Sequence, residues 1–209
     1  MKLYENTQAP NARRVRMFLA EKGIELESIQ VDIIKGENLQ ADFLSKNPRG
    51  LLPVLELEDG TCIDETMAIC RYFEDIQPEN PLFGHDAKSK ALIESKNRQI
   101  EFDGLLPLAD ILRNSAPNFA NRAIAGRENV QAISELIPRG KSSFLEFLNR
   151  LEQLLTQNEY IAGEYFSVAD ITAFCVIDFA SWVKIEIPAT HCNTITWYNK
   201  VVTRASALA

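Results

Sequence analysis

Three short stretches carry residue types that could do chemistry. Glu65-Thr66 stands where a strand pattern gives way to a helical one. A helix start leaves backbone N–H groups unpaired and presents the positive end of the dipole, so it attracts a carboxylate. The Thr66 hydroxyl can cap the helix, and the Glu65 carboxylate can accept from an ammonium group. One position then offers an acceptor for –NH3+ and donors for –COO−; an ordinary capping segment would use the same pair. Leu52-Pro53 ends a loop and opens a strand. Ala9-Pro10-Asn11 precedes a helix carrying Arg13, Arg14 and Arg16, a positive field unless those side chains are solvated or paired. Asn11 can donate through its amide or cap the helix.

Other chemistries are poorly served. The four cysteines, Cys62, Cys70, Cys175 and Cys192, form no Cys-x-x-Cys pair, and the two histidines, His85 and His191, are isolated. Zinc and iron–sulfur ligand spacings are absent, as is Gly-x-Ser-x-Gly, so no metal site is expected. The histidines read as loop or surface residues and the cysteines as small buried hydrophobes. With 22 Lys plus Arg against 29 Asp plus Glu, the net charge is −7. Such an acidic chain is a poor general binder of nucleic acid or anionic lipid. No run approaches the roughly 18 apolar residues of a membrane span. The first residues lack the apolar stretch of a secretory signal, which points to the cytoplasm.

These residues need elements to position them. Lys2-Leu3-Tyr4 opens a strand, and Val15, Phe18 and Leu19 mark a helix over 11–22, with Gly23 where a left-handed cap would sit. Ile29, Val31 and Ile33 alternate with polar residues as a half-buried strand. Residues 54–63 form a hairpin around Asp59-Gly60, and helical periodicity returns over 66–76. Gln77 to Gly84, with two prolines, is a linker by composition. Beyond it the pattern is helical: one long run over 88–114 that Pro107 kinks or divides, then a second that Pro138 and Gly140 interrupt before it resumes at Phe144. Residues 167–183 are apolar almost all round and should be central. Ser167 and Asp170 form a Ser-x-x-Asp capping box, a folding feature. The expected organisation is an α/β domain over 1–77, a linker over 78–85 and an all-helical domain over 86–209.

Asn47-Pro48-Arg49-Gly50-Leu51-Leu52-Pro53-Val54-Leu55, Asp64-Glu65-Thr66-Met67-Ala68-Ile69 and Ser167-Val168-Ala169-Asp170-Ile171-Thr172, in this order and spacing, resemble the cytosolic glutathione transferases. The resemblance covers essentially the whole chain. Ala9 to Arg16, Lys35-Gly36-Glu37-Asn38 and Trp197-Tyr198 look closest to the theta-like bacterial and fungal branch. It implies a thioredoxin-like N-terminal domain, an all-α C-terminal domain and a homodimer. It implies a cis Leu52-Pro53 bond, which turns the Leu52 N–H and C=O outward to pair with a peptide as an added strand. Glu65 and Thr66 would then meet the γ-glutamyl end of glutathione, and Lys35 and Asn38 its glycine carboxylate. The branch often carries His at the position of Asn38 and Lys at that of Leu51; both are missing here.

A thiol with an unperturbed pKa of about 8.5 is only a few per cent ionised at neutral pH. The hydroxyl that lowers this value in serine-containing relatives falls at Ala9, which has none. Cysteine is absent from this segment, which excludes thiol-exchange chemistry. Asn11 with the adjoining N–H groups is the expected donor; Tyr4, Thr7 and a water held by Asn114 or Ser115 are alternatives. The resemblance implies transfer of the glutathione thiolate to a hydrophobic electrophile lying against Ala9, Pro10, Leu108, Leu112, Ser115 and Phe119, in the service of detoxification. Glutathione would be substrate, with no metal or redox cofactor. A non-catalytic glutathione-binding scaffold, or a glutathione-dependent isomerase, dehalogenase or peroxidase, would share these features.

Overall fold

The computed structural model describes all 209 residues. The N-terminal part is a four-stranded sheet in the order β2-β1-β3-β4. Its strands are β1 (Lys2–Glu5), β2 (Glu27–Gln30), β3 (Val54–Glu56) and β4 (Cys62–Asp64). β1 and β2 are parallel, joined through α1 (Pro10–Lys22), and the β3–β4 hairpin is antiparallel. Side chains alternate across this sheet. Leu3 and Leu55, opposite one another, face α1 and α3 (Thr66–Ile76) in the main core. On the other face, Val31 and Val54 close over Phe43 of a one-turn helix, α2 (Ala41–Leu44), with Tyr4 packed alongside. β2 lies earlier than its alternating residues suggest: Val31 adds one more bond to Glu5 C=O, and Ile33 and Ile34 enter a turn.

The buried Lys22 ammonium pairs with Glu74 and donates to the carbonyls of Gln77, Glu79 and Asn80, pinning the segment after α3. The rest is helical: α4 (Ala87–Ile100), α5 (Leu106–Ser115), α6 (Leu136–Leu155), α7 (Val168–Ala180) and α8 (Cys192–Val202). α7 is buried on nearly every side, and α1 packs directly against it. No helix is long and apolar enough to cross a membrane.

The long helical run is divided upstream of Pro107. Over Glu101–Leu105 the chain makes one wide π turn, in which Leu106 N–H donates to Glu101 C=O. Pro107 lacks the N–H that a regular helix needs there, and the wide turn accommodates the loss. Pro138 and Gly140 do not interrupt the next pattern; both lie inside α6. Pro138 is in the first turn, where no N–H partner is required. Gly140 is the point of closest approach to α5: a Cβ there would lie 2.7 Å from the Pro107 carbonyl oxygen.

Two further expectations are corrected. His191 is a loop residue but buried, preceding α8. Only Cys70 and Cys175 are buried, and burial pushes both thiols up to about 12. Cys62 is half-buried and Cys192 is exposed, because they stand at a strand edge and at the first position of a surface helix.

Candidate functional site

A cleft of about 810 Å3 lies between the sheet domain and the helices. Its volume is at the upper end for small-molecule sites, room for two ligands side by side. The starts of α1 and α3 and the loop before β3 form one wall.

Ala9 is the N-cap of α1 and offers no side-chain hydrogen bond; Pro10 follows at the first helical position. The first intrahelical bond is from Arg13 N–H to Ala9 C=O, 3.1 Å, so the Asn11 N–H stays unpaired. Asn11 lines the cleft. Its Oδ1 accepts from Arg14 Nη1 at 3.0 Å. A guanidinium only donates, so this contact fixes which end of the amide faces Arg14 and leaves Nδ2 free to donate. Arg14 is itself buried, ion-paired with Glu101 in the π turn and donating through Nε to Thr172 Oγ1 at 3.1 Å. The Asn11 amide is thus oriented by an arginine of its own helix that is itself anchored to the helical domain. Arg13 and Arg16 pair with Asp178 and Glu5, so none of the three arginines is a free charge.

The alternative donors are committed elsewhere. Thr7 Oγ1 donates to Gln30 Oε1 at 2.6 Å. Tyr4 packs on the small core beneath the Lys46 ammonium. Asn114 uses both amide atoms on the backbone of Asp110 and Ile133. Ser115 is exposed, and neither it nor Asn114 lines the cleft.

The Leu52–Pro53 bond is cis. Leu52 lines the cleft, and its N–H and C=O make no backbone bond within the chain. Glu65 is the N-cap of α3, at φ +69°, a region seldom occupied by non-glycine residues. Its carboxylate, 60% exposed, pairs with Arg49, which also meets Asp64 at 3.3 Å. Thr66 is the first helical residue and does not cap; its side chain makes no hydrogen bond in the chain and it lines the cleft beside Glu65. The α3 start therefore keeps its N–H groups unspent.

The glycine-carboxylate positions are not assembled as expected. Lys35 is 76% exposed, bound to Asp32 at 3.1 Å, and does not line the cleft. Asn38 lines it, but its nitrogen donates to Gly50 C=O at 2.8 Å and ties two loops together. The Oδ1 left over is buried without a partner. An acceptor there would repel a carboxylate and suits an N–H instead.

The opposite wall is apolar, formed by Leu105, Leu106, Ala109 and Leu112, with Phe119, Phe179 and Trp182. Ala9, Pro10, Leu112 and Phe119 line the cleft. Leu108 does not: it is fully buried and takes no part in the cleft lining. The signal for the cleft face is the 106-109-113 spacing, one helical stripe away from 108 and 111. Phe179 and Trp182 form an edge-to-face pair at 5.5 Å; their three-residue spacing at the end of an apolar run was the only sign of them.

Residues 9–76 match the family profile described as the N-terminal domain of glutathione S-transferase, and residues 128–205 match its C-terminal domain. Glutathione S-transferase 2 of Saccharomyces cerevisiae is 30% identical over 209 residues, covering 99% of this chain and 87% of the relative. The crystal structure of Gtt2 from Saccharomyces cerevisiae superposes with a TM-score of 0.92 over 100% of this chain and 99% of that one, at 30% identity. That of a class Gtt2 glutathione S-transferase of Vibrio parahaemolyticus gives 0.83 at 36% identity, over 99% and 94%. With the fold shared end to end and the open helix starts facing one cleft, the chain belongs to the glutathione S-transferase family.

Proposed function

We propose that the cleft binds glutathione along the sheet-domain wall and a hydrophobic electrophile against the helical wall, and joins them. The protein is a glutathione transferase. The observation that carries the site reading is the Leu52 backbone, unpaired between two helix starts that lack side-chain caps. Leu52 would pair with the cysteinyl unit as an added antiparallel strand. Glu65 would accept from the α-ammonium of the γ-glutamyl group, while Thr66 and the α3 N–H groups donate to its carboxylate.

Glutathione held in this way would bring its sulfur to the start of α1. Asn11 Nδ2 and the Asn11 N–H donate to it, favouring thiolate over thiol; hydrogen bonds to charged groups contribute about 1.5–3 kcal/mol. The thiol proton leaves to solvent. The sulfur lone pair then forms a C–S bond to the electrophilic carbon, and the leaving group departs with its bonding pair. In an addition, the displaced π electrons take up a proton instead. Leu106, Ala109, Leu112, Phe119 and Trp182 would exclude water from the second substrate. No metal or redox cofactor is required, and detoxification of electrophiles in the cytoplasm is the role that fits.

Ultraviolet titration of bound glutathione, with a conjugation assay over a panel of electrophiles, tests the reading. Thiolate at neutral pH and turnover on at least one electrophile are expected. Glutathione bound only as thiol, with no turnover, would leave a scaffold. We further propose a homodimer: Leu92 of α4 and Phe102 of the wide turn that follows it are exposed apolar side chains, 46% and 62% accessible. Light scattering is expected to give twice the 23.6 kDa chain mass.

A further inference from the structure

One cation in the cleft has no counter-charge. Arg113 lines it from the last turn of α5, half-buried, with no carboxylate within ion-pair distance. Its guanidinium lies 4.6 Å from the centre of the Phe119 ring, and Nη1 donates to the Arg122 carbonyl at 2.8 Å. The other cation of the lining, Arg49, is neutralised by Glu65 and Asp64. Burial, together with the like charge of Arg122, holds the Arg113 pKa below its ordinary value. A partly desolvated charge of this kind is costly until an anion meets it.

The segment after α5 holds this charge at the mouth of the cleft. Arg122 donates to the carbonyls of Ile33 and Ile34 on the sheet domain, both at 3.0 Å, and to Asn118 C=O. On the other lip Gly126, at φ +71°, packs so closely on Arg49 that a Cβ would collide with its carbonyl. The strap from 116 to 133 therefore spans the loops on either side of the cleft. Asp32 and Glu37 also line it, but Asp32 is taken by Lys35 and by the N–H groups of Ile34 and Lys35, and Glu37 by the Asp32 N–H.

We infer that Arg113 is the carboxylate anchor of the cleft, receiving a carboxylate carried by one of the two co-substrates. This rests on the transferase reading above. It assigns to the helical domain a task that Lys35 and Asn38, from their positions, do not perform. A guanidinium fork accepts a carboxylate side-on through two parallel N–H groups, which a lysine cannot reproduce. Two sources carry that chemistry: the glycine end of glutathione and an acidic electrophile.

The test measures Arg113→Gln and Arg113→Lys against wild type in two arms. In the first, calorimetry compares glutathione with its glycyl ethyl ester. In the second, kcat/KM is compared for an electron-poor aryl halide with and without a ring carboxylate. Arg113→Gln is expected to lose about tenfold on the carboxylate-bearing member of one pair while leaving its neutral counterpart nearly unchanged. The arm showing the loss names the source. Arg113→Lys is expected to recover part of it. Equal effects on both members of both pairs would overturn the proposal and make Arg113 a strut for the strap. The ester series also separates the failures. Wild type that binds glutathione, with Arg113→Gln matching it on both members of both pairs, sinks this inference alone; wild type that binds neither glutathione nor its ester sinks the transferase reading with it.

Discussion

The start of α7 and the starts of α1 and α3 meet the same physical problem with opposite outcomes. Each leaves N–H groups without intrahelical partners. At α7 the start is closed by the chain itself: Val168 N–H donates to Leu82 C=O and Asp170 N–H to Ser167 C=O, both at 3.0 Å. Asp170 Oδ2 accepts from the Ser167 N–H and hydroxyl at 2.9 and 3.0 Å, and Oδ1 accepts from Ile161 N–H and Trp197 Nε1, both at 2.9 Å. The carboxyl is completely buried. At α1 and α3 the N-cap residues, Ala9 and Glu65, give no side-chain cap, and the donors face the cleft. A closed start stabilises the fold; an open one leaves a place that a ligand completes.

Breaking the closed start is expected to have the largest effect. Asp170→Ala strands four buried donor contacts and is expected to cost about 4 kcal/mol or more. That corresponds to a melting point lower by roughly 10 °C for a chain of this size. Thermal melts check it, and glutathione affinity of the remaining folded protein, measured well below the melt, is expected to be unchanged. Glu65→Ala reverses the pattern, with little change in melting point. Because its carboxylate is exposed and shared with Arg49, affinity is expected to fall by about 1.5–2 kcal/mol, roughly 10–30-fold in Kd. A titration with unchanged Kd would remove the ammonium site from α3.

Asn11→Ala sharpens the comparison at α1. It is expected to raise the pKa of bound thiol by about one unit and lower kcat, with little change in affinity at low pH, where the thiol is neutral in both proteins. Ultraviolet titration reads the shift; identical curves would return Asn11 to a mere helix residue. The smallest effect concerns a fourth start, that of α8. Burial raises Glu152, but the N–H groups and side chains of Thr194 and Asn193 outweigh it and hold the carboxyl at about 2. A depressed carboxyl stabilises the fold above its unfolded pKa and loses that contribution as pH falls toward 2. The melting-point gap between wild type and Glu152→Gln is therefore expected to be present at pH 6 and to close on acidification. Asp170 has the opposite sign: burial lifts it to about 6 despite its donors, so folding favours its protonated form and this contribution falls as pH rises toward 6.

Local rules made much of this readable. The hairpin follows its Asp59-Gly60 turn and the α7 start its Ser167 and Asp170, whereas β2 stops at Gln30, short of its alternating Val31 and Ile33. The cleft-side positions of Glu65, Thr66 and Leu52 came from the family resemblance. What escaped was set by contacts distant in sequence. Pro138 and Gly140 look like breakers until α5 lies against α6. The resemblance gives Lys35 the glycine carboxylate, but Asp32, three residues away, captures it. The resemblance gives Asn38 the same carboxylate, but the Gly50 carbonyl takes its amide donor. Arg113 looks like any helix-end arginine until the strap brings Phe119 beneath it. α2, only four residues long, is held by Phe43 packing rather than by periodicity.

The wide turn at Glu101–Leu105 also acts as a phase shift. An α-helix advances about 100° per residue, and one residue taken up in a wide turn rotates everything after it by that angle relative to everything before. Glu101 faces Arg14 while Leu106, Ala109 and Arg113 face the cleft. Side chains along α5 can be exchanged one at a time and keep their bearing. Inserting a single residue between 101 and 105 would change no cleft-lining side chain in kind. It would turn Arg113 a quarter-turn out of the cleft and bring Leu108 and Ile111 round into the places of Ala109 and Leu112. The chemistry of the helical wall is thus encoded in a residue count as well as in residue types, and its sensitivity to an insertion or deletion exceeds its sensitivity to substitution.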